Sequence, residues 1–295
     1  MRIANLLPGE GLSAYEHVHV PAARIPAGIT VEPMETGFHL PPDNRAAFML
    51  DGAVTVAAAV RAERAGFAAA IVNGADYGLA EIRAAVDLPT VGAMEESMLA
   101  AARVGGSFAV VQVWPEDQGW IHEQLLREYG LESRCTSLRF VTSSSEGELV
   151  HEAMYEGVPE LRAAMTKRIQ VEIDAAVREG AEAIVLGCTC MCSVLAELTV
   201  ASPVPVVDGI GVAFEKAVSL ARGEEKPEPP LGIPVLEPGR QAVFEQIAGV
   251  LQASGLSLGN EIEACEVCAP IYGEDGEELT DHESVRAQYT NSGGE

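Results

Sequence analysis

The sequence predicts an α/β protein built as two similar lobes with parallel sheets, and three observations carry that expectation. Up to residue 222, short apolar runs alternate with stretches of helical periodicity, the pattern of parallel strands joined by helices. Two of the runs, Ala70-Ile71-Val72-Asn73-Gly74-Ala75 and Val185-Leu186-Gly187-Cys188-Thr189-Cys190, pass in the same way from apolar strand into polar loop. Ligands in open α/β sheets bind beyond the carboxyl ends of strands, so one such end per half places a shared cleft between two lobes. The 48% apolar content of the 295 residues is enough for a packed core.

Taken in order, residues 1–6 are the first strand. Residues 51–65 form a helix with Val54, Val56, Ala57 and Val60 apolar, closed by Gly66. A buried strand at 69–73 leads to a helix at 78–86, a short strand at 89–92 and a helix at 94–104, where Gly105-Gly106 breaks the pattern. The second series opens with a strand at 108–113, a helix at 118–129 stopped by Gly130, and a strand at 137–142. Residues 159–179 are a long helix. Its Leu161, Met165, Ile169, Ile173 and Val177 recur at four-residue spacing along one face, and Gly180 ends it. A strand at 183–187, a short helix at 191–198, a strand at 204–207 and a helix at 210–221 follow.

The first lobe therefore covers 1–104, completed by about 205–222, and the second covers 105–204. Residues 223–259 are a C-terminal extension that starts as a polar, proline-rich linker at 223–230. It continues into a strand at 231–236 and a helix at 240–251. An acidic tail, 260–295, carries ten acids against one arginine, Arg286. It is expected to be loosely ordered, or ordered only against another surface such as a neighbouring subunit.

The formal net charge of −25, from 44 acids and 19 bases, argues against nucleic acid and anionic membrane as partners. No apolar run approaches the ~18 residues of a membrane span, and the first residues lack the basic start and long apolar region of a signal peptide. A cytoplasmic homo-oligomer acting on a small molecule is the expectation. In such a compartment the six cysteines are not read as a disulfide framework.

The richest stretch for chemistry is Ala183-Ile184-Val185-Leu186-Gly187-Cys188-Thr189-Cys190-Met191. It sets a thiol at the end of a buried strand, before the N-terminus of the next helix, where free N–H groups and the helix dipole favour a thiolate. Cys190 and Cys192 alternate with it, do not match zinc spacing, and read as small core residues. Cys265 and Cys268 have zinc-like spacing without a second pair, so metal or redox use stands beside an incidental tail pair. The six histidines, His17, His19, His39, His122, His151 and His282, have no carboxylate or thiol at diagnostic spacing and read as structural or exposed. Gly74-Ala75-Asp76-Tyr77-Gly78 lacks the spacing of a dinucleotide fingerprint.

These residues resemble the aspartate/glutamate/hydantoin racemase superfamily, with the hydantoin racemase branch nearest. The resemblance lies in Leu186-Gly187-Cys188-Thr189 with Met191, in Pro205-Val206-Val207-Asp208-Gly209, and in Ala75-Asp76-Tyr77-Gly78-Leu79 followed by Val86-Asp87-Leu88-Pro89-Thr90-Val91-Gly92. It covers roughly residues 1–222. It implies two pseudo-symmetric flavodoxin-like lobes, an interlobe active site, no cofactor and no metal. It also implies two cysteines on opposite faces of a carbon next to a carbonyl, one removing a proton and the other returning one. This chain departs from the pattern at Asn73, which stands where the first-lobe thiol is expected. A carboxamide exchanges hydrogen bonds and is no base near neutral pH. Asn73 reads either as a turn residue or as a contact to substrate.

Cys188 is then the single proton-transferring thiol, with Asn73 across the gap. The substrate class is a small carboxylate or amide, an amino-acid derivative or hydantoin-like compound, that forms a carbanion or enolate. Racemisation, with water or another group serving the second face, is one reading. One-face protonation after loss of carbon dioxide, as the resemblance to arylmalonate decarboxylase implies, is another. Addition of the thiol to a double bond, as in maleate isomerase, and a catalytically silent ligand-binding homologue are further ones. The N–H groups of Gly74, Ala75, Thr189 and Cys190 are the candidate oxyanion donors, with Thr189 Oγ1 as a further one. Asn5 reaches the same cleft, Gln112 and Trp114 end the strand that opens the second half, and Thr142 and Ser143 line the rim.

Overall fold

Apolar runs too short for a helix and punctuated by glycine become strands, and each finds parallel neighbours. The computed structural model describes residues 1–40, 44–226 and 241–253. Strands β1 (Arg2–Leu7), β2 (Thr30–Glu35), β3 (Ala69–Val72) and β4 (Thr90–Gly92) form a sheet in the order β2-β1-β3-β4. Strands β5 (Phe108–Gln112), β6 (Cys135–Phe140), β7 (Ile184–Leu186) and β8 (Val206–Val207) form a second, in the order β6-β5-β7-β8. Every pairing is parallel. The two orders are the same pattern repeated, which makes the lobes pseudo-symmetric, as the paired strand ends predicted.

The helices are α1 (Arg45–Arg64), α2 (Leu79–Ala85), α3 (Ala93–Gly105), α4 (Gly119–Glu128), α5 (Gly147–Val150), α6 (Pro159–Arg178), α7 (Leu195–Ala201), α8 (Gly209–Ala221) and α9 (Gln241–Ala253). Val56, Val60 and Ile82 of α1 and α2 cover one face of the first sheet, on Ala4, Leu6 and Val72. Its other face, Ile3, Ile71 and Val91, is covered from beyond the second lobe by Ile210, Phe214 and Ala217 of α8. In turn Met94, Met98 and Ala101 of α3 pack on Phe108, Val110 and Val185 of the second sheet. The four-residue pattern of α6 is its packing face, with Met165, Ile169 and Ile173 buried against Val111, Ile184 and Leu186.

Three elements depart from the sequence expectation. Helix α1 starts at Arg45, ahead of the apolar pattern, because the Asn44 side chain caps it by accepting from the N–H groups of Ala46 and Ala47, both at 3.0 Å. Strand β2 carried no apolar signal: it is the sheet edge, where the polar run TVEPME and Pro33 are tolerated. After β7 the expected helix begins as a 3-10 turn, Thr189–Val194, before α7. The strand expected at 231–236 and the acidic tail with Cys265 and Cys268 lie outside the described residues. Among the described residues no helix is long and apolar enough to cross a membrane.

Candidate active site

The two sheets bring the carboxyl ends of β1, β3, β5 and β7 to one region, and Cys188 follows β7 directly. Gly187 donates its N–H to Val111 at 2.8 Å. Its carbonyl accepts from Gln112 Nε2 at 2.9 Å and lies 3.1 Å from His122 Nε2. A Cβ at residue 187 would stand 2.9 Å from that imidazole nitrogen, so the approach requires glycine. Cys188 is then extended (φ −140°, ψ 137°) and caps the 3-10 turn, its Sγ accepting the Cys190 N–H at 3.3 Å.

That capping bond matters for the chemistry. The half-buried Cys188 thiol is drawn down to about 7, first by its hydrogen bond with the Cys190 side chain, against the cost of burial. The Cys190 N–H, Trp114 and Tyr155 add to the effect. Burial pushes the neighbouring Cys190 thiol well up and Cys192 up to about 12. Cys190 packs in the second-lobe core and Cys192 against the first-lobe core. Cys135 begins β6, at the strand end away from Cys188, and burial raises its thiol too. One thiolate-prone sulfur results among the described residues.

The wall around the sulfur is aromatic. Tyr155 ends a π-turn, His151–Tyr155, with its hydroxyl 4.0 Å from Cys188 Sγ. Burial and the Cys188 charge hold the Tyr155 hydroxyl protonated, well above the usual tyrosine range. The first-lobe turn Glu16–Val18 packs onto the Cys188 turn. His17 meets Tyr155 edge-on at 5.2 Å between ring centroids and stacks on Tyr15 at 5.8 Å.

From the first lobe, Asn73 is buried at the end of β3, and its Nδ2 donates to the Val18 carbonyl at 3.0 Å and to Asn5 Oδ1 at 3.2 Å. Asn5 Nδ2 donates to the same Val18 carbonyl at 2.9 Å. The two amides thus hold the loop bearing His17. Gly74 has φ +94°, and Tyr77 lies 3.3 Å from where its Cβ would stand. The N–H groups of Gly74 and Ala75 carry no hydrogen bond among the described residues, while that of Cys190 is given to the Cys188 sulfur. Tyr77 meets His39 edge-on at 5.9 Å and lies tilted on Phe48 at 5.0 Å between ring centroids, and burial with the charges of Asp51 and Cys188 raises its hydroxyl well above the usual tyrosine range.

The remaining expected residues divide. Trp114 and Thr189 stay half-buried beside the sulfur. The Gln112 carboxamide serves the Gly187 carbonyl and accepts from the Trp114 N–H at 3.3 Å, so it supports the turn from behind. Thr142 Oγ1 donates to the Val113 carbonyl, and Ser143 closes a capping box with Glu146. Ala75 packs toward the second-lobe core. Sequence reasoning passed over Tyr155 and took His17 and His122 as structural or exposed: their neighbours lie far along the chain, and no local spacing announces them.

A cavity of about 350 Å³ lies elsewhere, lined by Phe48, Val56, Leu79, Trp120, Leu125 and Phe244 among others. It contains neither Cys188 nor Tyr155, and the polar groups converge at the strand ends instead. Among the described residues no cluster of three or more His, Cys, Asp or Glu is placed to hold a metal ion.

Comparison with known proteins agrees with the two-lobed fold. A hydantoin racemase from Rhizobium meliloti is 31% identical over 145 residues, 49% of this chain and 56% of that protein. The chain thus spans about half the length of the curated relatives it matches. An allantoin racemase structure from Klebsiella pneumoniae superposes with a TM-score of 0.65 at 22% identity, covering 82% of this chain and 93% of that one. An arylmalonate decarboxylase variant superposes at 0.51 and 21% identity, covering 78% and 97%. Likeness at such identities speaks for the fold. The family model described as Asp/Glu/Hydantoin racemase matches residues 6–217, and the chain belongs to that family.

Proposed function

We propose that this chain is a cofactor-independent isomerase that forms a carbanion or enolate next to the carbonyl of a small carboxylate or amide, an amino-acid derivative or hydantoin-like compound. Cys188 is the proton-transferring thiol. The observation that carries this reading is the sulfur itself: it stands at a strand end, accepts an N–H, and is brought down to about 7 by its hydrogen bonds. A thiol so tuned exchanges protons in both directions near neutral pH. The free N–H groups of Gly74 and Ala75 support the reading as donors to the oxygen on which charge develops.

A second reading is a lyase that loses carbon dioxide and protonates the enediolate from one side. It is favoured by Asn73, whose amide is occupied on the Val18 carbonyl and supplies no second thiol.

Proton NMR in deuterated water, over a panel of 5-substituted hydantoins and α-amino-acid amides and malonates, separates the two. Exchange of an α-hydrogen without carbon loss is the isomerase outcome; carbon dioxide release is the lyase outcome. Activity undiminished in Cys188→Ala would overturn both.

A further inference from the structure

We propose that His17, rather than a second thiol, is the proton carrier for the face of the reacting carbon that Cys188 does not serve. The proposal rests on the isomerase reading above.

His17 sits on the first-lobe turn that packs over Cys188. Its ring is one aromatic layer from the sulfur: 5.2 Å from Tyr155 by centroids, with the Tyr155 hydroxyl 4.0 Å from Sγ. Its Nε2 is buried and has no hydrogen-bond partner among the described residues. A buried polar atom left unmatched loses its hydration without return. A substrate seated beside Cys188 would supply the missing partner. The residue that replaces the first-lobe thiol serves this arrangement, because Asn73 together with Asn5 fixes the Val18 carbonyl directly after His17.

The state of the ring suits the task. Burial first, and then the charges of Arg162 and His19, push its pKa down to about 4, so it is a neutral base at physiological pH. The titratable and charged groups facing it are Tyr15 and His19 of its own loop, Arg162 of α6, Tyr155 with His151 behind it, and the Cys188 turn.

The protons balance without a co-reactant. From thiol and neutral imidazole, His17 Nε2 takes the proton from carbon, and the C–H electron pair moves onto the carbonyl as an enolate. Cys188 returns its S–H proton to the opposite face, which leaves thiolate and imidazolium. That ion pair turns over the other enantiomer by the reverse transfers: the thiolate takes a proton and the imidazolium gives one.

Two measurements test it. In Cys188→Asp and Cys188→Asn, variants that differ by one charge and both cap the turn, the His17 midpoint is read by NMR titration. It is expected about one pH unit or more higher in the Asp variant. Equal midpoints would overturn the proposal while leaving the role of Cys188 intact. In the second, each enantiomer of 5-methylhydantoin and of alanine amide is followed in deuterated water. In His17→Asn, racemisation is expected to fall about a hundredfold or more, with one enantiomer still exchanging at carbon with retention. Unchanged racemisation, or α-proton exchange lost equally from both enantiomers, would overturn it. Wild-type protein that exchanges no member of the wider panel overturns the isomerase reading instead, and the proposal with it.

Discussion

The Asn73 side chain donates to the Val18 carbonyl over 3.0 Å, tying the end of β3 to the turn that lies over Cys188. The same amide group reaches Asn5, and both asparagines are almost fully buried. Asn73→Ala leaves the buried Val18 carbonyl with one donor fewer and Asn5 Oδ1 without its donor. Unfolding in urea is expected to show a loss of about 1–3 kcal/mol. Asn73→Cys is expected to lower α-proton exchange rather than raise it, because a thiol is too weak a donor to hold the loop.

The thiol should betray itself by its reactivity. Only the thiolate is alkylated, so the iodoacetamide rate at Cys188, resolved by mass spectrometry, is expected to rise about tenfold per pH unit below about 7 and level off above it. Tyr155→Phe and Trp114→Phe each remove a group that favours the charged form, and the midpoint is expected to move up. Cys135, Cys190 and Cys192, raised by burial, should react slowly throughout.

How far the molecule was legible depended on the range of the interactions. β3, β5 and β7 are wholly buried between helices, so hydrophobicity alone marks them. α6 is legible because one face does all its packing. β2 is hidden because an edge strand can be polar. Cys188 is legible because strand, glycine and turn are contiguous in sequence. The site around it is not: His17, Tyr155 and Asn73 come from three separate segments, and their meeting is a product of how the lobes pack. Asn73 is legible as the polar residue that ends a buried strand, but its hold on Val18 required coordinates.

His122 predicts acid sensitivity. Burial pushes its pKa from 6.5 to about 4, although its contact with the Gly187 carbonyl opposes the shift. The unfolded chain therefore binds the proton more readily than the folded one. The stabilisation is complete above pH 6.5 and is lost as pH falls toward 4, by about 3 kcal/mol in all for this group. Urea midpoints across that range are expected to fall steeply in wild type and less so in His122→Gln, which keeps a donor for Gly187 and carries no proton. Equal slopes would show that His122 does not report on folding.

Gly187 offers the last test, because it joins stability to reactivity at one atom. A methyl group there would stand 2.9 Å from His122 Nε2 and 3.2 Å from the Gln112 side chain, the two groups that meet the Gly187 carbonyl. Neither can retreat without giving up that contact. Gly187→Ala is therefore expected to cost about 1–3 kcal/mol. It should also slow Cys188 alkylation at neutral pH, since the turn that presents the sulfur to the Cys190 N–H is displaced. Gly147→Ala is the control: nothing lies within 4 Å of the added carbon, and the site is helical. It should leave reactivity unchanged and stability the same or slightly higher. Slowed alkylation in both variants would mean that the Gly187 contacts do not set the position of the thiol.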